Sequence, residues 1–236
     1  MIIGLVGFIG SGKGTVGEYL HLEGYHQASF AGALKDTAST MFGWDRALLE
    51  GDTNESREFR EQKDTWWSNR FGYDFTPRLA LQLLGTEAGR DVFHKDLWIY
   101  SLEKRIEKFD NVVLTDTRFP NEIEFIRKLG GVIVQVERGK KPQWYETALK
   151  ENQYKHAEKD YILYDEGQCM EQKYPTIHIS EWAWIGQKID YTIKNDSTLE
   201  DLFKSVRNVL TEVNKRDNIV TQLHNGENNE VVNRNT

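Results

Sequence analysis

Cysteine is almost absent from this chain. Cys169 stands alone among 236 residues, so no disulfide can form within the chain, which suits a reducing compartment. Long apolar runs are missing too, and nothing comes near the roughly 20 residues that a membrane-spanning helix needs. Positive charge is in deficit, with 30 Lys and Arg against 37 Asp and Glu. A net charge of −7 argues against nucleic acid or an anionic membrane as the main partner. It leaves room for a local basic pocket that takes a small phosphorylated ligand. The start, Met1-Ile2-Ile3-Gly4-Leu5-Val6-Gly7, lacks the basic opening of a secretory signal, so a soluble, cytoplasmic protein is expected. No metal site on protein side chains is expected. His178-Ile179-Ser180-Glu181 has no ligand partner at a suitable spacing, and it does not complete a Ser-His-Asp triad. Cys169 has no context that would make it a nucleophile.

What remains is enough apolar residue, 39%, for one sizeable core. Short buried-type strands are predicted at 2–6, 25–30, 112–116, 132–136 and 188–194. Helices are predicted between them at 13–22, 33–42, 77–91, 96–109 and 121–129, followed by one that Ser197 caps and that ends near Val213. Strands that are apolar throughout and alternate with helices imply an α/β protein, a parallel five-stranded sheet covered on both faces. Two polar stretches, about 44–76 and 139–176, read as insertions into a single domain over 1–213. The Asn-rich residues 214–236 read as a flexible tail.

The strongest signal follows the first strand. Gly7-Phe8-Ile9-Gly10-Ser11-Gly12-Lys13-Gly14-Thr15 opens the first helix. Glycines let a backbone wrap around phosphate and aim its N–H groups inward, and the helix adds its positive end. Lys13 can reach the β- and γ-phosphates. By average residue frequencies, such a pattern arises by chance in a chain this long less than about once in ten thousand. The residue after Lys13 is Gly14 rather than Ser or Thr, and the hydroxyl comes at Thr15. That form is similar to the loop of adenylate kinases, and it moves Mg²⁺ toward the nucleotide phosphates and water, with Asp116 behind them.

Asp116-Thr117-Arg118 follows the third strand, at the carboxyl edge where open parallel sheets bind ligands. Asp116 could orient metal-bound water or a substrate hydroxyl, and Arg118 could fork onto a phosphate. Lys35 starts the second helix. Arg78 could bind phosphate, and Trp98 could stack on a base or simply pack in the core. Arg57, Arg60 and Arg70 in the first insertion, and Arg138, Lys155, His156 and Lys159 at or in the second, are further sources of the positive charge that phosphoryl transfer needs.

Taken in order, the loop, Phe30 to Asp36, Arg78 through Gln82 to Thr86, Trp98, Asp116 to Arg118 with Glu122, Gly130 to Arg138, His178 to Glu181 and Ile193 to Asp196 resemble the bacteriophage deoxynucleoside monophosphate kinases. The resemblance implies a P-loop NTPase three-layer α/β/α fold and transfer of the ATP γ-phosphate to a dNMP with Mg²⁺, in the host cytoplasm if the chain is phage-encoded. It implies that Gly10, Ser11, Gly12, Lys13, Gly14, Thr15 and Arg138 serve the donor. Lys35, Arg78, Gly85, Thr86, Trp98, Asp116, Arg118 and Glu122 would line the acceptor site, and Lys13, Arg118 and Asp116 would be catalytic. The loop departs from the phage type in lacking an early basic side chain, which leaves Lys35, Arg118 or an insertion arginine to supply that charge. A kinase for another small acceptor and a non-catalytic nucleotide-binding protein stay open as alternatives. Trp66 and Trp67 suit a homodimer surface or a substrate lid equally.

Overall fold

The computed structural model describes residues 1–156 and 169–232. Its frame is five strands, β1 (Ile2–Val6), β2 (His26–Ala28), β3 (Val112–Leu114), β4 (Val132–Glu137) and β5 (Tyr191–Lys194), in the order β2-β3-β1-β4-β5. All four pairings are parallel. Ile3 sits opposite Val113 on one side and Val132 on the other, so β1 is central. Consecutive residues of a strand face opposite ways. Ile3, Leu5, Val113, Val132 and Val134 therefore join one apolar cluster, with Val16 and Leu20 of α1 (Lys13–Leu22) and Leu202 and Val206 of α10 (Leu199–Val232). Val6, Val112, Leu114 and Ile133 join another, with Leu102 of α6 (Leu97–Ile106) and Ile126 of α7 (Pro120–Lys128). This is the expected sheet with helices on both faces, and the chain order reverses beside β1, which opens a crevice at its carboxyl end.

Several elements differ from the sequence expectation. α10 is capped by Thr198, whose Oγ1 accepts from Asp201 N at 3.2 Å, and it runs to Val232 instead of ending near Val213. Within the second polar stretch, for which no helix was predicted, lie α8 (Tyr145–His156) and α9 (Met170–Lys173). Lys159 lies outside the described residues. The first insertion has a small core of its own. Between α2 (Gly32–Phe42) and α5 (Pro77–Gln82) it folds α3 (Asn54–Glu61) and α4 (Thr65–Phe71) over Trp44, Leu49 and Phe75. Phe42 stacks on Trp44 at 4.7 Å between centroids, and Trp44 Nε1 donates to Asp64 Oδ2 at 2.7 Å. Asp64 also caps α4 through Trp67 N. Trp67 is part of this packing, its Nε1 donating to Phe42 O at 3.1 Å, whereas Trp66 is exposed under Arg70. Among the described residues, no helix is long and apolar enough to cross a membrane.

The expected helix 77–91 changes character part-way. After α5 the chain widens into a π-helix from Leu83 to Phe93. Trp98 supplies a cause. Its Nε1 donates to Gly85 O at 2.8 Å, and its ring occupies the space beside Gly89, where a Cβ would lie 2.7 Å from Cζ2. Side-chain intrusion into a helical ladder is a common origin of such widening.

Candidate active site

The phosphate loop leaves β1 at Gly7 and enters α1 at Lys13. Gly7 and Gly12 both have positive φ, and a Cβ on either would collide with Val136 O or Asn195 Nδ2 respectively. At Gly10 and Gly14 an added Cβ would meet nothing within 4 Å, so the loop keeps an open concave side. Asn195, just past β5, braces the far side. Its Nδ2 donates to Ser11 O at 2.9 Å, while its own N donates to Glu137 O at 2.7 Å. Gly139 N donates to Asp196 Oδ1 at 2.6 Å, which joins the turn after Arg138 to the same brace, and Arg138 itself is exposed. Ser11 Oγ is buried and has no hydrogen-bond partner among the described residues. An open cradle, an uncommitted hydroxyl and a helix start fit a nucleotide phosphate chain.

Lys13 Nζ donates to Gly7 O at 2.6 Å and Phe8 O at 2.9 Å. Burial and then the Arg118 charge lower its pKa, the Glu181 carboxylate works the other way, and the net value is about 8. Lys13 and Arg118 thus lie near enough to repel. Arg118 Nη1 donates to Glu181 Oε1 at 2.7 Å and to Ser180 Oγ at 3.1 Å. His178 Nδ1 in turn lies 2.9 Å from Ser180 Oγ. The His178–Glu181 stretch, which carried no role in the sequence, is the holder of Arg118.

Asp116 has a different immediate job from the one expected. Its two carboxylate oxygens accept from Phe30 N at 3.0 Å and Ala31 N at 3.1 Å. It fixes the entry to α2, the helix that carries Lys35, with one N–H on each oxygen. Glu122 also lies beneath the site rather than in it. It is buried, and its Oε2 accepts from Arg118 N at 2.8 Å and Phe119 N at 3.1 Å. Burial, followed by the Asp116 charge, raises its pKa to about 7, while those two N–H bonds and Arg90 oppose the rise. Arg90, on the π-helix, went unnoticed in the sequence. It lies 3.8 Å from Glu122 and 5.2 Å from the Phe119 ring centre.

Farther from the loop, Lys35 and Arg78 each arrive already paired. Lys35 Nζ donates to Glu50 Oε2 at 2.5 Å, and Arg46 binds the other oxygen of Glu50. Arg78 Nε pairs with Glu61. Glu50 and Glu61 were missed, and Glu181 was given no role, because a carboxylate partner far away in the chain leaves no local pattern. Gly85 is buried with its carbonyl taken by Trp98, and an added Cβ there would lie 3.0 Å from Leu34 Cδ2. Its role is close packing of the π-helix on α2. Thr86 is exposed beside it. Trp98 is wedged against Gly89 with its N–H satisfied, which favours the packing reading over base stacking.

A parallel sheet with a glycine-lysine loop at its crevice, facing a cluster of lysine and arginine, defines a P-loop phosphotransferase. The comparisons narrow the class. The sequence profile of the deoxynucleotide monophosphate kinase family matches residues 45–177, more than half of the chain. A protein of Acanthamoeba polyphaga mimivirus named as a deoxynucleotide monophosphate kinase is 33% identical over 152 residues, covering 58% of this chain and 74% of its own. The deoxynucleoside-5′-monophosphate kinase of Escherichia phage T5 is 49% identical over 55 residues, 22% of each chain. Among solved structures, TT1252 from Thermus thermophilus aligns with TM-score 0.41 and 20% identity over 90% of this chain and 97% of that one. Shikimate kinase from Bacteroides thetaiotaomicron aligns with TM-score 0.39 and 13% identity over 91% and 98%. The chain belongs to the deoxynucleotide monophosphate kinase family, and it is a phosphotransferase.

Proposed function

We propose that the chain moves the γ-phosphate of ATP onto the 5′-phosphate of a deoxynucleoside monophosphate, giving ADP and a dNDP. The observation that carries this is the open phosphate loop with Lys13 in it and the Arg118 charge acting on that lysine. Lys13 stands at the loop, Arg118 beside it, and Arg78 and Lys35 on the helices beyond. In the reaction, an acceptor phosphate oxygen forms a bond to the γ-phosphorus as the bond to the β–γ bridging oxygen breaks, and ADP leaves with that electron pair. The acceptor is already anionic near neutral pH, so no strong base is needed. Positioning and charge neutralisation supply the rate.

The residues take distinct parts. The loop N–H groups, the open faces of Gly10 and Gly14, and the Ser11 and Thr15 hydroxyls hold the donor phosphates. Lys13 leaves the Gly7 and Phe8 carbonyls for phosphate oxygen, which costs it little because one set of acceptors replaces another. Arg118 neutralises charge at the transferring group, and Lys35 and Arg78 hold the acceptor. Asp116 and Glu122 position the turns that carry Lys35 and Arg118. Among the described residues no cluster of three His, Cys, Asp or Glu could hold a metal, so Mg²⁺ would sit on nucleotide phosphate oxygens and neutralise their charge. The test is a panel of dNMPs and ribonucleoside monophosphates with ATP, read as ADP release. Turnover with dNMPs is expected. Release only with some unrelated small acceptor, or tight ATP binding with no release at all, overturns the assignment.

A further inference from the structure

We propose that Arg60, delivered by α3 of the first insertion, binds the acceptor phosphate between Arg78 and Arg118, and that position 51 is glycine to make room for it. This rests on the kinase reading above. The first insertion contains four arginines, and three are committed elsewhere. Arg46 bonds Asp36 and Glu50. Arg57 donates to Gly51 O at 3.1 Å and Asp52 O at 3.0 Å. Arg70 lies over the Trp66 ring at 4.0 Å. Arg60 differs. Among the described residues its Nε is buried without a hydrogen-bond partner, and its Nη1 reaches only Glu50 O, at 3.4 Å, a weak bond.

Its surroundings are built for it. Thr53 and Ser56 close a capping box at the start of α3, and Phe59 packs edge-on against Trp44 at 6.5 Å, so the helix is pinned to the aromatic core. The guanidinium then crosses Gly51, where a Cβ would collide with Nη1, and Gly51 has φ +76°, so a side chain there would be strained as well. Burial and the like charges of Arg78 and Arg118 all weaken its hold on its proton, with Glu61 and Glu50 only partly offsetting them. Three arginines converging with an unsatisfied fork form a receptor for a compact polyanion, and a phosphate monoester offers three terminal oxygens to such forks. Glu50 ties this place to Lys35, since its backbone carbonyl meets Arg60 Nη1 while its carboxylate accepts from Lys35 Nζ.

The experiment compares wild type, Arg60→Lys, Arg60→Gln and Gly51→Ala. Each is followed by ADP release against dNMP concentration and by calorimetric titration with the four common dNMPs and their unphosphorylated deoxynucleosides. Losing a charged hydrogen-bonding fork is expected to weaken dNMP binding and raise acceptor KM by about tenfold to a hundredfold in Arg60→Gln. Arg60→Lys should fall between, and it carries the test if the Gln variant melts early. Gly51→Ala should weaken dNMP binding although Arg60 is still present. Deoxynucleoside affinity and ATP KM should stay within about twofold throughout. Equal loss for nucleoside and nucleotide, or dNMP binding unchanged in both Arg60→Gln and Gly51→Ala, overturns the proposal. Wild type that releases no ADP with any dNMP and binds dNMP no better than deoxynucleoside overturns the kinase reading, and this one with it. Normal wild-type turnover matched by Arg60→Gln overturns only the arginine.

Discussion

At the proposed donor end, one unbroken stretch from Gly7 to Thr15 makes the site, and the binding assigned to it is mostly by backbone. At the proposed acceptor end, Lys35, Arg60, Arg78 and Arg118 come from α2, α3, α5 and the turn after β3, and the binding assigned to them is by side chains. A backbone site is fixed once the strand, turn and helix have formed, and it needs few partners, with Asn195 bracing it from behind. A side-chain site needs each helix held in place and each charge accommodated while the ligand is away. The acceptor end meets the first need with the Trp44–Phe75 core and the wedge of Trp98. It meets the second with Glu50, Glu61 and Glu181.

The sharpest way to break the comparison is to remove a charge from the backbone-built end. Lys13→Ala should lower kcat/KM by about a thousandfold, the range seen when a preorganised donor to the transition state is lost. The fold should survive, because in the free protein Lys13 only bonds two loop carbonyls. Steady-state kinetics with a melting curve as control would check this. Near-normal turnover would mean that the loop is not where phosphate is activated.

The acceptor wall should break by packing instead. An alanine at Gly89 would place its Cβ 2.7 Å from Leu84 O and from the Trp98 ring. Backbone oxygen cannot move cheaply, so Gly89→Ala should cost about 1–3 kcal/mol of stability, as overpacking does. Trp98→Phe, which keeps a ring but loses the bond to Gly85 O, should cost less. Denaturant unfolding would order the two. An alanine tolerated at 89 would show that the π-helix does not depend on close approach of the indole.

That wall was also the least legible part of the sequence. The phosphate loop could be read because its meaning lies in adjacent residues, and β1, β3 and β4 because each is apolar on both faces. Apolar spacing over 77–91 marked a helix but could not tell a π-helix from an α-helix, since the cause, Trp98, lies beyond it in the chain. The first insertion looked like a polar cover because Trp44, Trp67 and Phe75 are spaced too irregularly to show as one core. Asp116 and Glu122 were found by motif, yet their work is to hold backbone N–H groups, and that could be learned only from the bonds at Phe30, Ala31, Arg118 and Phe119.

Between the two ends stands Glu181, which holds Arg118 and also props up the Lys13 charge. Lys13 is cationic below its pKa of about 8 and neutral above it, so ATP kcat/KM should fall as pH rises through that value. Removing the Glu181 carboxylate takes away the group that raises this pKa. In Glu181→Gln the fall should therefore begin at lower pH. A pH–rate profile unchanged in that variant would sever the link between the ends.

The smallest effect is expected where the pairing is most exposed. Lys35 in its pair with Glu50 is 13% exposed, whereas Arg78 and Glu61 are 52% and 58% exposed. An exposed ion pair is worth about 1 kcal/mol or less, so Glu61 should cede Arg78 readily to a phosphate that offers more charge and more acceptors. Glu61→Gln should leave the melting temperature nearly unchanged and lower the acceptor KM by about two- to fivefold, because the incoming phosphate no longer has a competitor. Glu50 is shared by Lys35 and Arg46 and lies deeper, so Glu50→Gln should lower stability before it changes KM. Acceptor titrations and melting curves on the two variants separate a carboxylate that stands in for the ligand from one that builds the wall. If Glu61→Gln raises KM, the carboxylate is orienting Arg78 for phosphate and not competing with it.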